Sequence, residues 1–181
     1  MNVLGDITPT PPTIESEADL AAFLEAGSKP KSDWRIGTEH EKFAHSKDGL
    51  GPVPYDGPRG IRALLQGVEK EFGWQPVFEG ENLIALTQNG QAITLEPGGQ
   101  VELSGAPLDS IHDTGVEVYA HLGQLKAVAE PMGIGFIGAG FHPKWALADI
   151  PQMPKARYGI MRGIMSKVGD HGLDMMYRTC T

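Results

Sequence analysis

Two short segments joined by Asn89-Gly90 constrain the fold of this chain more than any other feature of its sequence. Segments 82–88 and 91–96, on either side of the dipeptide, have the residue types and spacing of strands. Asn-Gly is typical of a two-residue hairpin turn, because both of its residues adopt a positive φ readily. The sequence therefore predicts an antiparallel hairpin, and with it an antiparallel sheet.

Hydrophobic spacing and turn residues predict the remaining elements. The other strands are predicted at 34–43, 74–78, 100–104, 133–142 and 173–181, and the helices at 16–27, 61–72, 110–129 and 154–169. The buried face of the longest helix is predicted to consist of Ile111, Gly115, Val118, Leu122, Leu125 and Ala129. Because strands often follow one another without a helix between them, the predicted class is α+β, with a mainly antiparallel sheet and flanking helices.

Composition limits the organisation of the chain and its partners. A length of 181 residues allows one domain, or one and part of a second, and the first 13 residues are predicted to be a flexible tail because they hold three prolines and no apolar period. A net charge of -8 without a basic cluster argues against a nucleic-acid partner. No apolar run approaches the length of a bilayer span and no leader precedes the fold, which predicts a cytoplasmic protein without a membrane partner.

Acidic side chains on predicted strands form the strongest candidate site. Glu39 and Glu41 lie on one face of a strand, about 7 Å apart between Cα atoms, because side chains alternate with a period of two. Glu96 and Glu102 flank the Pro97-Gly98-Gly99 turn, and His142 ends the glycine-rich strand. Converging carboxylates would suit Mg²⁺ or Mn²⁺ better than zinc. The alternative for an isolated Glu-x-Glu is a solvated edge of the sheet.

Cations gather in the last quarter of this acidic chain. Arg157 and Arg178 each adjoin a tyrosine, Tyr158 and Tyr177, where a planar guanidinium could hold a substrate carboxylate or phosphate. Lys155 is equally explained as ordinary solubilising charge. Four histidines are predicted to be solvated surface residues: His45, His112, His121 and His171.

Five extended segments, in this order, are similar to the plant-type and proteobacterial glutamate–cysteine ligases. The segments are IGTEHEKF at 36–43, LEPGGQVELSGAP at 95–107, FHPKW at 141–145, MPKARYGIM at 153–161 and MMYRTCT at 175–181. Five segments in sequence are far more specific than one short motif. The likeness covers nearly everything from Trp34 onward.

The resemblance implies a glutamine-synthetase-like catalytic fold that binds ATP, divalent cations, L-glutamate and L-cysteine. It implies that ATP phosphorylates the γ-carboxylate of glutamate and that the amine of cysteine attacks the acyl phosphate. By position in the motifs, the implied metal ligands are Glu39, Glu41, Glu96, Glu102 and His142. Arg157 and Arg178 are implied to hold substrate or phosphate, and Lys155 and Tyr158 to contact ATP.

The resemblance also implies that residues 14–181 are the N-terminal portion of a longer catalytic domain, inactive alone, because the chain stops inside a predicted strand. Two alternatives remain open from the residues themselves. One is a non-catalytic module that binds a divalent cation or a small ligand. The other is a related ligase that joins glutamate to a different amine. The single Cys180 excludes an internal disulfide.

Overall fold

A computed structural model describes residues 13–180, and the chain divides into two compact units, Met1–Trp34 and Arg35–Thr181. In the first unit, helix α1 (Glu17–Glu25) begins with a capping box: the Ser16 hydroxyl accepts from the Asp19 N–H, and the Asp19 carboxylate accepts from the Ser16 N–H at 2.8 Å. This predicted helix is confirmed. Apart from Thr13, the predicted tail lies outside the described residues.

The second unit contains six strands and four further helices. The strands are β1 (Glu39–Ser46), β2 (Gln75–Glu79), β3 (Asn82–Gln88), β4 (Gln91–Leu95), β5 (Val101–Ser104) and β6 (Ile134–Ile137). The helices are α2 (Ile61–Phe72), α3 (Ile111–Ala129), α4 (Ala156–Met165) and α5 (Gly172–Arg178). None of the helices between residues 13 and 180 is long and apolar enough to cross a membrane.

All six strands form one antiparallel sheet in the order β2-β3-β4-β5-β1-β6. The predicted hairpin is confirmed at β3 and β4, where Asn89 and Gly90 take φ values of 49° and 82°. β1 lies between β5 and β6, so a strand from the beginning of this unit pairs with strands far along the chain. The α+β class is confirmed, and the sheet with its flanking helices is consistent with a glutamine-synthetase-like fold.

One face of the sheet forms the hydrophobic core with α2 and α3. Leu86, Ile93 and Leu103, from three neighbouring strands, are completely buried there, as are Leu65 of α2 and Leu125 of α3. Full burial of each of these side chains stabilises the fold by about 1.5–3 kcal/mol. The opposite face carries the acidic side chains of β1 and β5, and we call it the carboxylate face.

The buried face predicted for α3 is only partly correct. Leu125 and Ala129 are buried as predicted, but Ile111 is 66% exposed. The helix is rotated so that polar side chains point inwards instead, namely Thr114, Glu117 and His121. Apolar spacing could not reveal this face, because Glu117 and His121 have partners in the adjoining loop and the sheet, and the Thr114 hydroxyl donates to the Ile111 carbonyl within α3.

Two strand predictions are wrong, one over most of its length and the other at its start. Segment 173–181 forms helix α5 for most of its length, held by an ion pair at 3.0 Å between Asp174 and Arg178, which are one helical turn apart. The strand predicted from Trp34 begins only at Glu39, and Ile36 makes an isolated bridge to Leu108.

The turn between β4 and β5 joins the C-terminal helices to the sheet. Gly98 has a φ of 74°, and a Cβ there would lie 2.9 Å from Ile150 Cγ2 and 3.2 Å from the Tyr177 carbonyl oxygen. Only glycine satisfies both the left-handed backbone and this close approach. The turn thereby fixes where Glu96 lies relative to the helices that follow β6.

Candidate functional site

Strand register places three of the predicted metal ligands on one face of the sheet. Glu41 of β1 is directly opposite Glu102 of β5, and Glu39 is opposite Ser104. Directly paired residues are about 4.5–5.5 Å apart between Cα atoms, so the Glu41 and Glu102 carboxylates share one small region. The face is the one that α2 and α3 leave uncovered.

Hydrogen bonds and charge both act on Glu102. Its carboxylate accepts from the Thr94 hydroxyl at 3.1 Å and from the Ser104 hydroxyl at 3.4 Å. Partial burial raises the pKa of Glu102, and the negative charges of Glu96 and Glu39 raise it further. A like-charged cluster of this kind is stabilised by a bound cation.

Glu96 is surrounded by cations and a phenol. Its carboxylate lies 3.4 Å from Lys155 Nζ and 3.1 Å from Arg157 Nη2, and it accepts from the Tyr158 hydroxyl at 3.0 Å. Tyr158 is buried, its hydroxyl also contacts the Leu95 carbonyl at 2.7 Å, and both cations lie within 5.4 Å of its ring centroid. Glu96 and Tyr158 thus hold Lys155 and Arg157 in place. This favours a supporting role for Glu96 over ligation of the metal, and for Tyr158 over direct contact with the nucleotide.

A cavity of about 250 Å³ lies beside these two cations. It is lined by Glu79, Ile84, Lys155 and Arg157. The Arg157 side chain is 61% exposed, whereas that of Lys155 is 9% exposed. An exposed guanidinium above a buried ammonium is suited to bind a carboxylate or phosphate group.

His142 accepts hydrogen bonds in a pattern that opposes metal binding. Its Nδ1 accepts from the backbone N–H groups of Lys144 at 3.2 Å and Trp145 at 3.1 Å, so its proton is on Nε2. The ring stacks on Trp145, with 3.5 Å between centroids, and lies edge-on to Phe43. Burial lowers the pKa of His142 and keeps it neutral. This geometry favours a structural or hydrogen-bonding role over the predicted ligation.

Arg178 is occupied by neighbours at the end of α5. Its guanidinium pairs with Asp174 and lies 4.4 Å from the centre of the Phe141 ring, and its carbonyl oxygen accepts from the His142 N–H at 2.8 Å. These contacts tie α5 to the residues after β6. The role of Arg178 in holding substrate or phosphate therefore stays a prediction.

A buried pair behind the carboxylates was missed by sequence reasoning. Lys42 is 1% exposed and its Nζ donates to the carbonyls of His40 at 2.8 Å and Val101 at 3.1 Å. Nζ also lies 2.9 Å from Nε2 of His121, which is 2% exposed. The prediction that His121 is a solvated surface residue is wrong, because α3 turns it towards β1. Burial lowers the pKa of Lys42 to about 8 and that of His121 to about 3.

Acid should therefore destabilise the protein through His121. The unfolded state binds a proton at this imidazole near pH 6.5, whereas the folded state does so only near pH 3, so stability falls as pH decreases between these values. We expect a loss of about 2 kcal/mol between about pH 6.5 and 5 from this group. Chemical unfolding across this range checks the loss. The variant His121→Gln, which retains an acceptor for Lys42, should show a shallower dependence, and an equal one would contradict the assignment.

Cys180 is a second residue whose place the sequence did not reveal. Its thiol hydrogen-bonds Glu41, so it lies at the carboxylate face. Burial, assisted by the Glu41 charge, raises the pKa of Cys180 to about 12. A thiol that stays protonated at neutral pH is a poor nucleophile.

The carboxylate face is suited to bind Mg²⁺ together with substrate phosphates and water, rather than to enclose the ion with protein ligands alone. Between residues 13 and 180, no group of three or more His, Cys, Asp or Glu side chains is arranged to hold a metal ion. Mg²⁺, however, is usually bound by one or two carboxylates together with substrate phosphates and water. The opposed pair Glu41 and Glu102 supplies donors of that kind, with Glu39 beside them.

Comparison with known families agrees with this chemistry. The model of glutamate–cysteine ligase family 2 matches residues 35–181, which is also the second compact unit. The chain belongs to this family. The resemblance drawn from the five sequence segments is thereby confirmed.

Members of the family from plants are similar along almost the whole chain. Glutamate–cysteine ligase A of rice is 55% identical over 185 residues, which cover 98% of this chain and 37% of the relative. The tobacco enzyme is 54% identical over 98% of this chain and 35% of its own length, and that of Arabidopsis thaliana 54% over 97% and 34%. The chain therefore spans about a third of the length of these relatives.

The names of these relatives correct one prediction. All three relatives are chloroplastic by name, which contradicts the prediction of a cytoplasmic location. Composition gives no information on the compartment beyond the presence or absence of a recognisable targeting segment.

Proposed function

We propose that this family member forms part of an ATP-dependent ligase that joins the γ-carboxylate of L-glutamate to L-cysteine, the first step of glutathione synthesis. A γ-carboxylate oxygen attacks the γ-phosphorus of ATP and ADP leaves. The amine of cysteine then attacks the acyl phosphate, and phosphate leaves as the amide forms. The observation that supports this function best is the opposed pair Glu41 and Glu102, with the cations Lys155 and Arg157 at Glu96 beside it.

Glu41 and Glu102, with Glu39 next to them, are the residues that would hold Mg²⁺ or Mn²⁺. When bound, the ion neutralises charge on the phosphates of ATP during transfer. The Thr94 and Ser104 hydroxyls orient the Glu102 carboxylate, and the raised pKa of Glu102 reflects repulsion that a cation relieves. Glu96 and His142 are proposed to support the site rather than to ligate the ion.

The cations beside Glu96 are proposed to position the reacting groups. Lys155, whose ammonium is nearly buried, would hold the γ-phosphoryl oxygens, since its charge also acts on the Glu102 side of the site. Arg157, which is more exposed, would hold a carboxylate of glutamate by paired N–H donors. Tyr158 keeps both in place through its ring and through its hydroxyl bond to Glu96. Arg178, at the end of α5, is proposed to help hold the substrate or phosphate.

Replacing Arg157 tests the position of glutamate. In the complete protein, Arg157→Ala should raise the KM for glutamate by about 10- to 100-fold, because one charge-assisted contact is lost. The KM for ATP should change much less. Arg162→Ala, on the exposed side of the same helix, is the matched control and should leave both values unchanged. A greater rise in the KM for ATP than for glutamate would assign Arg157 to the nucleotide instead.

Substrate omission tests the reaction itself. Rapid release of ADP by the complete protein should require glutamate and an amine, and the product should contain a γ-glutamyl amide. Competition between cysteine and other small amines distinguishes the proposed ligase from a related one. Binding of Mg²⁺ with no ADP release under any of these conditions would instead favour a non-catalytic cation-binding module.

A further inference from the structure

Lys42 lies on the other side of strand β1 from the carboxylates of the proposed metal site. Side chains alternate along a strand, so Lys42 points into the core while its neighbour Glu41 points to the carboxylate face. Burial of an ammonium group costs free energy unless its donors find acceptors. A buried lysine next to a proposed metal ligand therefore requires an explanation.

All three donors of this ammonium group have an acceptor. Nζ donates to the carbonyl oxygens of His40 at 2.8 Å and Val101 at 3.1 Å, and its third partner is Nε2 of His121 at 2.9 Å. An ammonium group has no lone pair, so His121 accepts through Nε2 and carries its proton on Nδ1. Contacts from β1, β5 and α3 thus fix Nζ in one position.

The two carbonyl groups belong to the peptide units immediately before the opposed carboxylates. The His40 carbonyl carbon is bonded to the nitrogen of Glu41, and that of Val101 to the nitrogen of Glu102. Glu41 and Glu102 are themselves directly paired across the two strands. One buried ammonium group therefore holds the backbone of both residues, from the side of the sheet opposite to their carboxylates.

We propose that Lys42 is a positioning residue for the metal site, an inference that rests on the proposed function. By binding both peptide units, its ammonium group fixes the distance and orientation at which β1 and β5 present Glu41 and Glu102. Groups that hold metal ligands in place typically contribute about 10- to 100-fold to metal affinity or activity. His121 assists because it completes the set of acceptors around Nζ.

The charge of Lys42 has an effect of the opposite sign, which makes the proposal decidable. A positive charge near a metal site repels the ion, so a lysine that acted through its charge alone would weaken cation binding. Its removal would then strengthen the binding of Mg²⁺ or Mn²⁺. A lysine that acts by positioning the ligands strengthens cation binding, and its removal weakens it.

Lys42→Met distinguishes the two effects, because methionine occupies the space of the lysine stem without an ammonium group. In the complete protein with a non-hydrolysable ATP analogue, the Kd for Mn²⁺ should rise about 10-fold or more. Val68→Ala, at a fully buried position of α2, is the matched control for a general loss of stability and should leave this Kd unchanged. Equal or tighter Mn²⁺ binding by folded Lys42→Met would overturn the proposal.

Two variants at His121 keep the proposal testable if Lys42→Met does not fold. His121→Gln retains an acceptor for Nζ and should bind Mn²⁺ as the unaltered protein does. His121→Leu removes the acceptor and should raise the Kd for Mn²⁺ about 3-fold or more, a smaller change because two acceptors remain. In that case, equal Kd values for the two folded His121 variants would overturn the proposal. An unaltered protein that binds no Mn²⁺ with the ATP analogue would instead overturn the proposed function.

Discussion

Glu102→Gln in the complete protein should reduce glutamate- and cysteine-dependent ADP release by about 100-fold or more. Glutamine has nearly the same shape and retains an oxygen that can accept from Thr94 or Ser104, so the local structure should persist. It lacks the charge that would bind Mg²⁺ opposite Glu41. A steady-state assay of ADP release measures the loss.

The same substitution should not lower stability. Burial and the charges of Glu96 and Glu39 raise the pKa of Glu102, so removal of its negative charge relieves repulsion in the protein without metal. Thermal unfolding without Mg²⁺ should therefore give an equal or higher midpoint. Glu71→Gln, on the exposed end of α2, is the matched control and should leave activity unchanged. Normal turnover by Glu102→Gln would remove this carboxylate from the mechanism.

Gly105→Ala is expected to cause the largest loss of stability among the substitutions considered. A Cβ at this position would overlap Oε2 of Glu117, a buried carboxylate of α3, and would lie 3.1 Å from the Thr38 carbonyl oxygen. Glu117 is buried and accepts from the Ala106 N–H at 2.8 Å through Oε1, so displacement of its carboxylate by the new Cβ disturbs that bond. We expect the free energy of unfolding to fall by about 2–4 kcal/mol.

Activity should fall with stability in this variant, because the Gly105 N–H donates to Thr38, the residue before Glu39. Gly123→Ala, at an exposed and open position of α3, is the matched control and should raise stability by about 0.5–1 kcal/mol. Denaturant unfolding measures both changes. The combination Gly105→Ala with Glu117→Ala should cost less than the sum of the two single changes, and strict additivity would show that the two residues do not meet.

Local signals predicted most of the individual elements. The Asn89-Gly90 turn, the apolar spacing of α2 and the Ser16 cap act within a few residues, and each of them formed as expected. The order β5-β1-β6 depends on pairing between distant segments, which period-two spacing does not encode. Helix α5 differs from the predicted strand because Met175, Met176 and Tyr177 fit either element, whereas the Asp174–Arg178 pair, one turn apart, favours the helix.

The sequence predicted the types of residue that form the site better than it predicted how they are arranged. Spacing alone placed Glu39 and Glu41 on one face, but the opposition of Glu41 and Glu102 depends on the pairing of β1 with β5. The contact between Lys42 and His121 joins residues 79 positions apart, on a helix face that apolar spacing did not mark as buried. Polar groups of this kind are invisible to a hydrophobic pattern, since burial depends on their partners.

Counting the Mn²⁺ ions bound by the complete protein, in the presence of a non-hydrolysable ATP analogue, tests the central claim most directly. Mn²⁺ substitutes for Mg²⁺ at oxygen ligands and is observed by electron paramagnetic resonance. The double variant Glu41→Gln/Glu102→Gln should lose at least one bound Mn²⁺ per chain, or bind it at least about 10-fold more weakly. Equal numbers of ions bound with equal affinity by both proteins would contradict a metal site between β1 and β5.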